Sequence, residues 1–366
     1  MGTMTSTFGA VCAQGLPGAP VLDALPLGIE WDALFDRAVD ERAVSFLACA
    51  VAEGLIAATQ DQEEQLCVGH EAAMRSCVWL ERWTREVAGI LANASIEMRV
   101  LKGPAVASLD YPDPAWRSFG DIDVLVSSAQ YDDAIRVLLD VGGRRRSQEV
   151  RAGFDRRFGK GACVTLPNGV QVDVHRTLAS GPFGLTVDLD ELFRSSAVLN
   201  LAGEAIPVLS RELRLVHACY HAALGDATPR VVALRDVAQM LESNELDFDE
   251  VRRIGKRWRA EIVLARAISL AWDALQLAAT PASEWATAYV GDRFERRALS
   301  AYVGAERSYA RQMLAGLPAV SGLPAKILYI RSLVFVDRAY AQRHGGGFGR
   351  RVQRAWNARS RREPVA

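Results

Sequence analysis

From Trp31 to about Ala94, apolar residues recur every third and fourth position with charges opposite, in WDALFDRAVDERAVSFLACAVAEGLIAA and EEQLCVGHEAAMRSCVWLERWTREVAGILA. That period predicts amphipathic helices. The texture then changes. IEMRVLKG (96–103) predicts a short strand ending at Gly103, and PAVASL a brief helix opened by Pro104. DYPDPAW reads as a loop and DIDVLV (121–126) as a second strand. SSAQYDDAIRVLLDVGG predicts a helix capped by Ser127 or Ser128 and stopped by Gly142 or Gly143. Beyond a basic stretch, ACVTL and VQVDVHRTL flank PNG, where Asn-Gly signals a tight hairpin turn. From Ser210 the helical period returns, in SRELRLVHACYHAAL, RVVALRDVAQMLES, DEVRRIGKRWRAEIVLARAISLAWDALQLA and AKILYIRSLVFVDRAYAQRH.

These patterns divide the 366 residues into five stretches. Residues 1–28, rich in Gly, Ala and Pro, read as a flexible leader. A helical segment (29–94), a small mixed α/β domain (95–208) and a helical domain (209–342) follow. Residues 343–366, Gly- and Arg-rich, read as a basic flexible tail. The expected class is α+β, a small mixed sheet flanked by N- and C-terminal helical segments.

Composition narrows the possibilities. A net charge of −1 sets up no global field for nucleic acid or membrane. No run reaches the ~18 apolar residues of a membrane span. No secretory signal is read at the N-terminus, so the cytoplasm is the expected compartment. The six cysteines (12, 49, 67, 77, 163, 219) show no CxxC pair, and free buried thiols are expected. Arg far outnumbers Lys, which stands only at 102, 160, 256 and 326. That bias points to GC-rich coding and a bacterial source, and draws the eye to each lysine.

Within RSFGDIDVLV, Asp121 and Asp123 lie two apart at the start of a strand. Side chains two apart share a strand face, ~7 Å apart at their Cα atoms. Two unneutralised carboxylates beside an apolar run would repel and raise one another's pKa. A divalent cation resolves the conflict, and paired carboxylates with substrate phosphates suit Mg²⁺. A two-metal site calls for a third carboxylate, and Asp173 in VQVDVHRTL, among alternating valines, is the candidate. The pairs Asp188/Asp190 and Asp247/Asp249 precede helices and read as dipole-favoured caps. Upstream, Gly103 lets the backbone approach a phosphate, Lys102 adds a positive charge, and Arg117 is placed to stabilise a leaving pyrophosphate.

This order resembles the nucleotidyltransferase superfold of DNA polymerase beta and the aminoglycoside nucleotidyltransferases. More narrowly, LKGPAVASLDY, RSFGDIDVLV and VDVHRTL are similar to an uncharacterised bacterial nucleotidyltransferase family, and HACYHAAL and LRDVAQML fit its helical portion. The similarity spans about 95 to 245. It implies a nucleotidyltransferase core in which Asp121, Asp123 and Asp173 are catalytic and bind metal. Lys102, Gly103, Arg117, Gly120 and His175 would lie beside the nucleotide. Two Mg²⁺ ions, or Mn²⁺, and an NTP such as ATP are the implied cofactors and substrate. The wider superfold has Gly-Ser at the turn where this chain has Lys-Gly, and Lys102 is the proposed substitute for the serine.

The expected reaction is Mg²⁺-dependent transfer of a nucleoside monophosphate to a small-molecule, peptide or protein acceptor, with pyrophosphate released. Two other readings stand beside it. One is a catalytically inactive nucleotide-binding or regulatory protein of the same fold; the other is an RNA-modifying toxin using the arginines at 144, 145, 146, 151, 156 and 157. The sequence names neither the acceptor nor the oligomeric state. His217 and His221 share a helical face and read as structural. Asp236, inside an apolar helix, either reaches the site or pairs with Arg235 or another cation.

Overall fold

The computed structural model describes residues 2–20, 31–194, 197–243, 245–304 and 307–343. Helices α1 (Gly2–Ala13), α2 (Trp31–Asp40), α3 (Val44–Ala52) and α4 (Gln60–Asn93) come first. Thr59 and Gln62 cap α4 reciprocally. Strand β1 (Met98–Val100) leads through Gly103 into α5 (Pro104–Asp110), β2 (Ile122–Val126) and α6 (Tyr131–Asp140). Then come β3 (Arg144–Arg145), β4 (Gly161–Thr165), β5 (Gln171–His175), β6 (Ala197–Leu201) and β7 (Glu204–Val208). Beyond the sheet the chain continues through the helices Arg211–Leu224, Val231–Leu241, Phe248–Arg257 and Glu261–Leu275, with further helices after them.

The class is α+β, as the patterning predicts: one mixed sheet in the order β3-β4-β5-β2-β1-β7-β6, with helices before and after it in the chain. β2 pairs antiparallel with β1 and parallel with β5. The period of two sorts the side chains onto two faces. Ile122, Val124, Val126, Val172 and Val174 join a core with Leu80, Val87 and Leu91 of α4 and with Ala134, Ile135 and Leu138 of α6. The opposite face carries Asp123, Leu125, Asp173 and His175. Leu125 joins the second and larger core, built mainly from the helices after the sheet. The acidic residues therefore lie on the sheet face turned toward those helices.

Two expectations change here. The leader is not loose where it is described: residues 2–13 form α1, and Phe8, Val11 and Cys12 are buried in the larger core. Its Gly- and Ala-rich sequence conceals this because small residues let α1 approach closely. A Cβ on Gly9 would lie 2.0 Å from the Ala274 carbonyl oxygen. Residues 21–28 of that stretch, and the tail from 344, lie outside the described residues. The β6–β7 hairpin was not predicted; AVLNL and EAIPV alternate weakly, and its turn places Ala202 and Gly203 at positive φ. Among the cysteines, Cys12, Cys77 and Cys219 are buried free thiols, whereas Cys67 is exposed. Among the described residues no helix is long and apolar enough to cross a membrane.

Candidate active site

The site forms where β1 ends and β2 begins. Gly103 adopts φ 63 and ψ −118, a region that side chains disfavour, and turns the chain into α5. A Cβ there would come within 3.3 Å of the Phe119 ring. Beside it, Leu101 N donates to the Asp123 carbonyl at 3.0 Å, which locks the end of β1 to the acidic strand.

The parallel register pairs Asp123 with Asp173 across β2 and β5, so the two carboxylates start from neighbouring positions on one face. Ligand atoms of Asp123, Asp173 and His175 lie within 4.8 Å of one another. His175 Nε2 donates to Asp123 Oδ1 at 2.8 Å and leaves Nδ1 buried without a partner. Lys102 Nζ lies 3.2 Å from Asp123 Oδ2 and 3.7 Å from Asp121 Oδ2. The Asp121 side chain is 30% exposed, against 2% for Asp123.

These environments separate the two aspartates. Burial alone would raise Asp123, but Lys102 and His175 outweigh it and hold its carboxyl well below the usual range. Asp121 is pushed up, by burial first and by the Asp123 charge second. Burial would lower Lys102, yet the two carboxylates raise it, so it stays an ammonium. Lys160, preceding β4, is pushed down by desolvation with Lys102 contributing. His175 is lowered by burial and by Lys160, which keeps its imidazole neutral.

The donor set fits a hard divalent cation. Asp123 Oδ2 is buried without a hydrogen-bond partner and has only an ammonium opposite it. Asp173 supplies a further carboxylate oxygen within 4.8 Å, the ligand type Mg²⁺ and Mn²⁺ favour, whereas Asp121 stands outside that cluster, across Lys102. With Nε2 on Asp123, His175 orients that carboxylate and still offers its unpartnered Nδ1 to the cluster.

A cleft opens on the Gly103 side, lined by Arg42, Lys102, Gly103, Asp121 and Arg230 among others. Arg42 is held at φ 59 between α2 and α3, and its carbonyl accepts from Ser118 Oγ at 3.1 Å. Its guanidinium lies against Gly120, where an added Cβ would sit 2.5 Å from Nη2.

Arg117 also lines the cleft, but its guanidinium is committed elsewhere. Nε and Nη2 donate to Asp236 at 2.9 and 2.8 Å, and Nη1 donates to the Ser118 carbonyl at 2.6 Å. Tyr111 Oη adds a hydrogen bond to Asp236 at 2.9 Å. The pair is buried, with both side chains 6% exposed. Arg117 thus braces the loop before β2 while lining the cleft. The pairing also answers the question posed by Asp236, whose cation is Arg117 rather than Arg235. Arg235 instead donates to the carbonyls of Cys12 and Gln14, tying down the N-terminal segment.

Residues 28–276 match the model of a family described as uncharacterised nucleotidyltransferase. The chain belongs to that family. Among curated proteins no sequence matches it. Among solved structures, an antigenic nucleotidyltransferase-like protein from Paracoccidioides brasiliensis aligns over 54% of this chain and 92% of its own. That alignment has 18% identity and a TM-score of 0.31, too low to set residue correspondences.

For this member of the nucleotidyltransferase family, sequence reasoning named Lys102, Gly103, Asp121, Asp123, Asp173 and His175, and they lie together. It passed over Arg42 and Lys160. Arg42 sits in an ordinary helix-to-helix connection, DERAV, and gives no local signal. Lys160 had one, being one of four lysines and preceding a strand that pairs with the Asp173 strand.

Proposed function

We propose that this protein is a Mg²⁺-dependent nucleotidyltransferase that moves a nucleoside monophosphate from an NTP to an acceptor hydroxyl and releases pyrophosphate. The observation that carries this reading is the shared register of Asp123 and Asp173 beside Asp121 and the glycine turn. Asp121, Asp123 and Asp173 are the residues that would hold the cations. Bound Mg²⁺, or Mn²⁺ in its place, would neutralise the phosphate charge and polarise the α-phosphoryl group. His175 holds Asp123 in one orientation. Gly103 and the cationic side chains of Lys102 and Arg42 form the side on which the triphosphate fits. In the transfer, the acceptor oxygen bonds to the α-phosphorus as the bond to the bridging β-phosphate oxygen breaks. Asp173, the less buried carboxylate of the register pair, is placed to take the hydroxyl proton. The chain contributes alignment and charge more than covalent chemistry, as expected for phosphoryl-type transfer.

One observation favours a second reading, a nucleotide-binding protein without turnover. Lys102 already neutralises Asp121 and Asp123 from the position a cation would take. Incubation with α-labelled NTPs, Mg²⁺ and candidate acceptors separates the two. Turnover should require the divalent cation and fall ~100-fold or more in folded Asp121→Asn and Asp123→Asn variants. NTP binding without labelled product or pyrophosphate, equal in wild type and variants, would establish the second reading instead.

A further inference from the structure

Adjoining the Arg42 cleft, with which it shares Lys102 and His221, lies a second cavity of about 150 Å³. Lys102 and Asp123 form one side of it, Lys160 another, and His217, Tyr220 and His221 of the helix Arg211–Leu224 line the wall opposite. The two histidines are four residues apart and so share one helix face. The wall is short of partners. The Tyr220 hydroxyl is buried without one. Lys160 makes no ion pair among the described residues, nor are the imidazoles of His217 and His221 hydrogen-bonded to another of them. His217 and Tyr220 are 5% and 1% exposed. Arg307 also lines the cavity, with its guanidinium held by the carbonyls of Tyr302, Leu224 and Gly225. The one carboxylate in the lining, Asp123, is already shared between Lys102 and His175.

Surplus donors and an ammonium around a partly enclosed space fit an anion, because unpartnered buried polar groups are costly and charge-assisted hydrogen bonds are strong. We propose that this cavity is the acceptor subsite and that it takes a small acceptor bearing a carboxylate or phosphate, held by Lys160 and the His217–His221 wall. The inference rests on the nucleotidyl-transfer reading and supplies its missing substrate class. The acceptor's anionic group lies at Lys160 and its hydroxyl points toward Asp123, within 4.8 Å of which lies an Asp173 carboxylate oxygen. The enclosure suits a small molecule rather than a protein surface or a nucleic-acid strand.

Calorimetric titration of the full chain with inorganic phosphate and, separately, malonate, in the absence of NTP and Mg²⁺, tests this. At least one anion should bind at millimolar concentration, and which one binds tells phosphate from carboxylate. Binding should weaken about tenfold or more in Lys160→Met, and should recover in Lys160→Arg. His221→Gln, the milder change should Lys160→Met fail to fold, should weaken it too. A non-hydrolysable NTP analogue with Mg²⁺ should leave the anion bound. The proposal is overturned if neither anion binds, if folded Lys160 and His221 variants bind as wild type does, or if the analogue displaces the anion. Loss of nucleotidyl transfer with anion binding intact would count against the reaction, not against this site.

Discussion

Asp123 keeps its charge inside the protein with its side chain only 2% exposed, and the residues around it explain how. An isolated buried carboxylate would take up a proton. Here Lys102 and His175 each occupy one of its oxygens, while Asp121, more exposed, carries the opposite shift. The pairing of Asp121 with Asp123 and the third position at Asp173 were legible because strand periodicity is strictly local. The commitment of Arg117 to Asp236 was not, because the partners are 119 residues apart and only folding brings them together. A second, half-buried cluster gives a test at this scale. Asp155 shares the Arg145 guanidinium with Glu149, and burial followed by the Glu149 charge pushes its carboxyl up to about 6. Between pH 4 and 6 the folded chain therefore holds a proton on Asp155 that the unfolded chain has lost. By linkage this group's contribution to stability is full below about pH 4 and declines as pH rises to 6. Denaturant titrations across that interval should show the decline flatten in Asp155→Asn.

Among the elements, β2 and β5 do most to set the site, since their parallel register brings Asp123 alongside Asp173. Each strand was readable from its valines. Their adjacency was not, because parallel strands join through long connections that leave no local trace in sequence. The β4–β5 hairpin, by contrast, was legible from Asn168 and Gly169, with Gly169 at φ 88. The β1–α5 turn depends on Gly103 in the same local way. Gly103→Ala should cost about 1–3 kcal/mol from the disfavoured backbone alone, with further loss from contact with Phe119. Equilibrium unfolding should report the destabilisation. In the proposed reaction KM for the NTP should rise more than kcat falls, since the turn faces the phosphates.

Across the whole molecule, the N-terminal helices close the same core as the helices following the sheet. Phe8 of α1 is fully buried, and Arg37 lies over its ring with 4.3 Å between guanidinium carbon and ring centroid. Phe8→Ala should therefore destabilise the protein by about 3–5 kcal/mol, measured by chemical denaturation, whereas a loose leader would make the change silent. Periodicity and turn chemistry in the sequence by themselves determined the α+β class, the helical flanks, the β4–β5 hairpin and the acidic residues, because each depends on near neighbours along the chain. Tertiary structure alone decided that α1 is core, that Arg117 is a brace, that Arg42 reaches Gly120, and that Lys160, His217 and His221 face one cavity with Asp123. Those relations join residues far apart in sequence, and packing in three dimensions is what brings them into contact.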